Sequence, residues 1–95
     1  MARKMDTKAV ERIAKALSDK NRLLILQKIA KQRCLGCTEM HEIVSLAQPT
    51  LSHHVKVLVD AGLVDSHKDG RNLNLYLNKE TVQELIDFLS QLNQD

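Results

Sequence analysis

Residues 48–77 read QPTLSHHVKVLVDAGLVDSHKDGRNLNLYL, and the parsing of this stretch decides the fold. Pro49 suits the first turn of a helix, where its missing N–H is not needed. Leu51, Val55, Leu58 and Val59 follow at helical spacing, and Gly62 fits a left-handed cap that stops the helix. Val64–Lys68 and Leu73–Leu77 then read as two strands; in the second, Leu73, Leu75 and Leu77 alternate with Asn74 and Tyr76. Between them Asp69–Gly70 is a strong short hairpin signal. A helix that runs straight into a hairpin is the result.

Upstream, Val10, Ile13, Ala14 and Leu17 fall at i, i+3, i+4 and i+7, an amphipathic helix. Ser18–Asp19 interrupts it and offers an N-cap to a second helix. That helix carries Leu23, Leu24, Ile25, Leu26, Ile29 and Ala30, apolar nearly all round, so a central position is expected. Arg33–Cys37, with Gly36, reads as a loop. Thr38 can cap a short helix holding Met40, Ile43 and Val44, and Ser45–Gln48 makes a tight connection to the helix after it. Downstream of the hairpin, Val82, Leu85, Ile86, Leu89 and Leu92 stripe a last helix, with Thr81 and Glu84 spaced as a capping box. The expected fold is mainly α with a small β-hairpin, in the order α-α-α-α-β-β-α, over a single domain spanning residues 1–95. Two short helices joined by about four residues, the second followed by a hairpin, make a winged helix-turn-helix.

Ninety-five residues with 43% hydrophobic side chains give a thin core. A chain of this length buries only about 65% of its unfolded surface, so a second subunit is expected to complete it. Tyr76 and Phe88 are the only aromatic residues, too few for the stacking platforms that single-stranded nucleic-acid binders use. The longest aliphatic run, Leu23–Leu26, is far short of a membrane span, and no apolar signal region follows Arg3. A soluble cytoplasmic protein is expected. The net charge of +2 hides an asymmetry: residues 1–37 carry +7, residues 38–77 carry −2 and residues 78–95 carry −3. Such a basic third can be an ordinary solvated helix face or a surface that meets a polyanion.

The polar residues of the helix after Pro49 favour double-stranded DNA. Gln48, Thr50, Ser52, His53 and Lys56 are interleaved with Leu51, Val55 and Leu58. Gln can bond adenine in bidentate fashion, Thr and Ser serve phosphate oxygen or a thymine methyl, and Lys contacts phosphate. His53 can donate to a guanine edge or a phosphate. Lys68 and Arg71 flank the hairpin tip, where they can reach adjacent backbone or minor groove. Any one of these is more simply a solvent-facing residue; the set, in this context, is an interface. His54 lies between the outer and core faces and reads as a packing histidine bonded to a nearby carbonyl. His67 reads as a surface residue of the first strand.

The residues also resemble a known family, the ArsR/SmtB-type repressors. Ala16–Leu17–Ser18–Asp19–Lys20–Asn21–Arg22–Leu23–Leu24–Ile25–Leu26 is similar to the family's second-helix signature. Gln48–Pro49–Thr50–Leu51–Ser52–His53–His54–Val55–Lys56–Val57–Leu58 resembles its recognition helix, and Ala61–Gly62–Leu63–Val64 with the Gly70–Arg71 wing continues the match. The resemblance covers about residues 7–92. It implies a homodimer built on the first and last helices, which occupies an operator until an inducer lowers its affinity. Ala47 departs from the pattern, since the family usually has Ser there; the cap must come from elsewhere, such as Gln48 or a Ser45 turn.

The inducer is the open point. Family members with a metal site on the third helix carry C-x-C or C-x-C-x-x-C, whereas this chain has Cys34-x-x-Cys37 followed by His41. Counted back from the recognition helix, the family's thiol positions fall on Gly36 and Thr38; counted forward from the second helix, Cys37 aligns. Members with a last-helix site use Asp and His, and the corresponding positions here are Asn78 and Thr81, so that site is absent. No Cys or His lies in residues 1–33 to complete a cross-subunit site. Three readings of the cysteines remain. Cys34, Cys37 and His41 could close on Zn(II) or Cd(II), while As(III) prefers three thiolates and one chain offers two. The pair could cycle to a disulfide beside a helix N-terminus that activates the thiol. Or both could be structural. The rivals from other classes are a protein-binding winged helix with no DNA role and a small C-x-x-C thiol oxidoreductase. The second needs a βαβ context that the element order does not supply.

Overall fold

The computed structural model describes residues 5–32, 35–36, 47–70 and 72–94. Four helices and a three-stranded antiparallel sheet make up this part: α1 (Thr7–Leu17), α2 (Lys20–Gln32), β1 (Leu35–Gly36), α3 (Gln48–Asp60), β2 (Val64–Asp69), β3 (Asn72–Leu77) and α4 (Lys79–Leu92). The short helix expected from Thr38 lies outside the described residues.

Three of the four described helices start where a side chain takes up orphan N–H groups. Asp6 Oδ1 accepts from Ala9 N at 2.8 Å and opens α1. Asp19 Oδ1 accepts from Asn21 N and Arg22 N, at 2.8 and 3.1 Å, and opens α2 as expected. The Asp19 carboxyl is held below the ordinary carboxylate range, first by the Arg22 backbone N–H and then by that of Asn21; the Arg22 charge adds to this against partial burial. Its contribution to stability is complete above the unfolded-state pKa and is lost as pH falls through the depressed folded-state value.

One expected start changes. Asn78, not Thr81, caps α4: its side chain accepts from Thr81 N at 3.0 Å, so the helix begins at Lys79 and directly follows β3. At α3 the N-cap is Ala47, which supplies no side-chain acceptor, with Pro49 in the first turn.

Gly62 ends α3 as the sequence predicts. Its φ is +82°, its N–H donates to Val59 O at 2.9 Å, and Leu63 N donates to Leu58 O at 3.2 Å. That pair of bonds is a Schellman motif, and its hydrophobic partners Leu58 and Leu63 are both buried. A left-handed residue here turns the chain from α3 into β2 without a loop.

The sheet order is β1-β3-β2, with Val64 opposite Leu77 and Asp69 opposite Asn72. Asp69 therefore belongs to the ladder, and Gly70, at φ +62°, is the first residue of the turn rather than the second. β1 was expected to be loop. Leu35 pairs with Leu75 and Gly36 with Asn74, so the segment is a strand at the edge of the hairpin. A two-residue strand has no periodicity to betray it; only the partner strand, some forty residues later, makes it one.

The core joins Ile13 and Ala16 of α1, Ile25 and Ile29 of α2, and Leu51, Val55 and Leu58 of α3 to Leu63, Val64 and Leu75. α2 is central as expected, packing on α1, α3, β1 and β3, but it is not buried all round: Leu23 is 38% exposed and Ala30 is exposed, as is Ala14 on α1. α4 has no buried residue at all. Val82 and Leu85 pack against the core, while Ile86, Leu89 and Leu92 are 48, 52 and 70% exposed. No helix among the described residues is long and apolar enough to cross a membrane.

Candidate nucleic-acid interface

α3 is two-faced because its sequence is. Leu51, His54, Val55 and Leu58 turn inward, and Pro49, Ser52, His53, Lys56 and Asp60 form an exposed stripe at i, i+3, i+4, i+7 and i+11, with Thr50 exposed beside its start. Thr50, Ser52, His53 and Lys56 are thus brought together as expected. Gln48 is placed by its backbone as the first residue of α3. Asp60 ends the stripe with a negative charge, a limit the sequence reading did not mark; an anion is met by the first two turns of α3, not the last.

Of the two hairpin strands, β3 packs on the core through Leu75 and β2 faces outward. Val64 is the only buried residue of β2, and every residue from Asp65 to Asp69 is exposed. Lys68 sits near the tip opposite Leu73, apart from the α3 stripe, and His67 is exposed opposite Asn74. Arg71, Cys34, Cys37 and His41 lie outside the described residues.

His54 is buried, at 7% exposure, and among the described residues its partner is the side chain of Arg22. Arg22 Nη1 lies 3.0 Å from its Nδ1. A guanidinium only donates, so Nδ1 accepts. The same Arg22 donates through Nε to Ala16 O at 2.8 Å and through Nη2 to Lys15 O at 3.1 Å. Nothing in the local sequence marks Arg22 beyond its place in the second-helix motif. Lys15 itself is 77% exposed and paired with Glu11 at 3.2 Å.

A second exposed feature lies across the molecule. A groove of about 580 Å³ runs between the start of α1 and the end of α4, lined by Met5, Asp6, Thr7, Phe88, Gln91 and Leu92. The exposed apolar stripe of α4 continues from it.

Comparison with known proteins follows this geometry. A helix-turn-helix domain family matches residues 17–67, the span from the end of α1 to the wing. The chain is 38% identical over 89 residues to the arsenical resistance operon repressor of Staphylococcus aureus, covering 94% of this chain and 85% of that protein. It is 33% identical over 82 residues to the cadmium resistance transcriptional regulatory protein CadC of Listeria innocua, covering 86% of this chain and 69% of that one. In fold it superposes on a crystal structure of an ArsR family transcriptional regulator with a TM-score of 0.85 at 22% identity, over 96% of this chain and 93% of the other. These relatives are regulators of transcription and not enzymes. The chain belongs to the ArsR/SmtB-type winged helix-turn-helix family of DNA-binding transcriptional repressors.

Proposed function

We propose that this repressor works in the cytoplasm as a homodimer, reads an imperfect palindrome with two copies of α3, and leaves it when a signal reaches Cys34 and Cys37. The observation that carries the dimer is the apolar stripe Ile86, Leu89 and Leu92 on a helix with no buried residue. A second copy laid on it would cover the stripe and join the two reading heads. Two recognition helices then enter successive major grooves about 10 base pairs apart. Thr50, Ser52 and His53, with Gln48 ahead of them, meet base edges or phosphates; Lys56 meets phosphate; Lys68 and Arg71 reach the flanking backbone from the wing. Replacing Lys56 by Ala is expected to weaken binding to all duplexes alike and to lower the slope of log K against log salt by about 1. A loss confined to one sequence would assign Lys56 to base readout instead.

The cysteines gain a route to the wing from β1. They flank its two residues, and β1 pairs with β3 of the hairpin. Closing Cys34 on Cys37, by oxidation that passes two electrons and two protons to an oxidant or by a shared ion with His41 as third ligand, would act on the segment between them, β1, and through its pairing with β3 on the wing. The relatives named for arsenical and cadmium resistance support an ion as the signal. Fluorescence anisotropy of a promoter duplex tests this, with As(III), Cd(II), Zn(II) or diamide added. One agent is expected to lower the affinity about 5- to 150-fold, the range of ordinary allosteric coupling. The Cys34→Ser/Cys37→Ser protein is expected to stay bound. A double variant that still lets go would sink the thiol mechanism and leave the DNA reading standing.

A further inference from the structure

Arg22 is the third residue of α2, yet its side chain serves the other two helices of the core. Nε and Nη2 donate to Ala16 O and Lys15 O, at 2.8 and 3.1 Å. Both carbonyls belong to the last turn of α1, where helical N–H partners run out, and a cation there also faces the negative end of the helix dipole. Lys15 O is further held by Ser18 N and Ser18 Oγ, at 3.2 and 2.7 Å, so that one carbonyl gathers three donors. The third arm, Nη1, reaches Nδ1 of His54 at 3.0 Å.

His54 lies on the core side of α3 among Leu51, Val55 and Leu58, and its neighbour in sequence is His53 on the exposed stripe. The two rings are 6.1 Å apart, centre to centre. With Nδ1 accepting, the ring proton is on Nε2. One planar guanidinium thus fixes the end of α1 and the middle of α3 in a single geometry. A lysine, with a point charge on a flexible stem, could cap α1 but could not hold both at once.

We propose that Arg22 and His54 are positioning residues for DNA recognition. Their joint sets how far and at what tilt α3 presents Ser52, His53 and Lys56, and it makes that pose depend on α1. The proposal rests on the reading of α3 as the DNA-contacting helix. It differs from a plain stability role, which would lower the melting temperature and leave the preference between DNA sequences unchanged.

The test uses the full chain and four variants: Arg22→Lys, His54→Leu, the two combined, and His54→Asn, whose side-chain oxygen can accept near the place of Nδ1. Two readouts are taken. One is the ratio of affinities for a duplex that the wild type selects from a random pool and for a scrambled duplex of equal length. The other is the amide ¹H–¹⁵N spectrum of the free protein. R22K and H54L are each expected to lower the ratio about tenfold, within the usual range of coupling between sites. Scrambled-duplex affinity, set by phosphate contacts, is expected to hold to about twofold. The combined variant is expected to be no worse than either single one, because the two residues act as a unit. H54N should keep the wild-type ratio, and R22K should shift the amides of α3. An unchanged ratio, fully additive losses, or shifts confined to α1 and α2 would overturn the joint. If the wild type selects no sequence at all, the DNA reading falls by itself. The spectra then decide the joint alone, since α3 shifts in R22K and H54L support it and their absence refutes it.

Discussion

Ile86→Glu/Leu89→Glu is expected to give a folded monomer that has lost at least about a hundredfold in affinity for a two-half-site duplex, the part that linking two reading heads contributes. The reason is in the packing of α4. Both side chains stand about half exposed, contribute little to the core of one chain, and lie on the stripe that a second copy would cover. Charge there costs the single chain little and the pair a great deal, because an ion would be buried in an apolar contact without a partner. Analytical ultracentrifugation gives the oligomeric state, circular dichroism the helix content, and anisotropy the affinity. A half-site duplex is the internal control, as one α3 reads it in either protein. If the variant remained dimeric and bound the full site as the wild type does, α4 would not be the interface.

The largest effect on folding is expected at Leu58→Ala. Leu58 is fully buried, and its carbonyl accepts the Leu63 N–H that closes the Schellman turn. Removing the side chain empties the meeting point of α3 with β2 while leaving that turn's backbone in place. Buried Leu→Ala changes cost about 2–5 kcal/mol, out of the roughly 5–15 kcal/mol that hold a small domain together. The melting temperature should fall by about 10 °C or more for a domain of this size. Lys56→Ala, on the exposed side of the same helix, should move it hardly at all. Equal melting temperatures for the two variants would mean that the inward and outward faces of α3 are wrongly assigned.

Much of the fold could be read locally. The i, i+3, i+4 spacing of Leu51, Val55 and Leu58, the Gly62 stop and the alternation around Leu75 each follow from a few neighbouring residues. The structure bears out all three. What the sequence hid depends on distant partners. β1 is a strand only because β3 lies beside it, and Gly36 has no strand preference to announce it. Arg22 meets His54 across thirty-two positions, so the packing histidine was foreseen but its partner was not. The start of α4 moved from Thr81 to Asn78 because two residues three positions apart offered rival caps, and the short exit from β3 favoured the first. The turn moved by one residue for a similar reason: the ladder extends to Asp69, leaving Gly70 to take the positive φ.

The candidate interface divides the same way. Thr50, Ser52, His53 and Lys56 fell on one stripe because a helix face is a local property. Lys68 came out on a separate element, and its reach toward DNA is a matter of how the wing sits on a duplex.

The central claim is that α3 and the wing read double-stranded DNA as a pair. The most direct measurement is an anisotropy titration of the selected duplex and its scrambled counterpart at two salt concentrations, with reduced wild-type protein. Tight binding that weakens steeply with salt, with a selected-to-scrambled ratio of about a thousandfold or more, is the predicted result. Weak binding that neither salt nor sequence alters would contradict it.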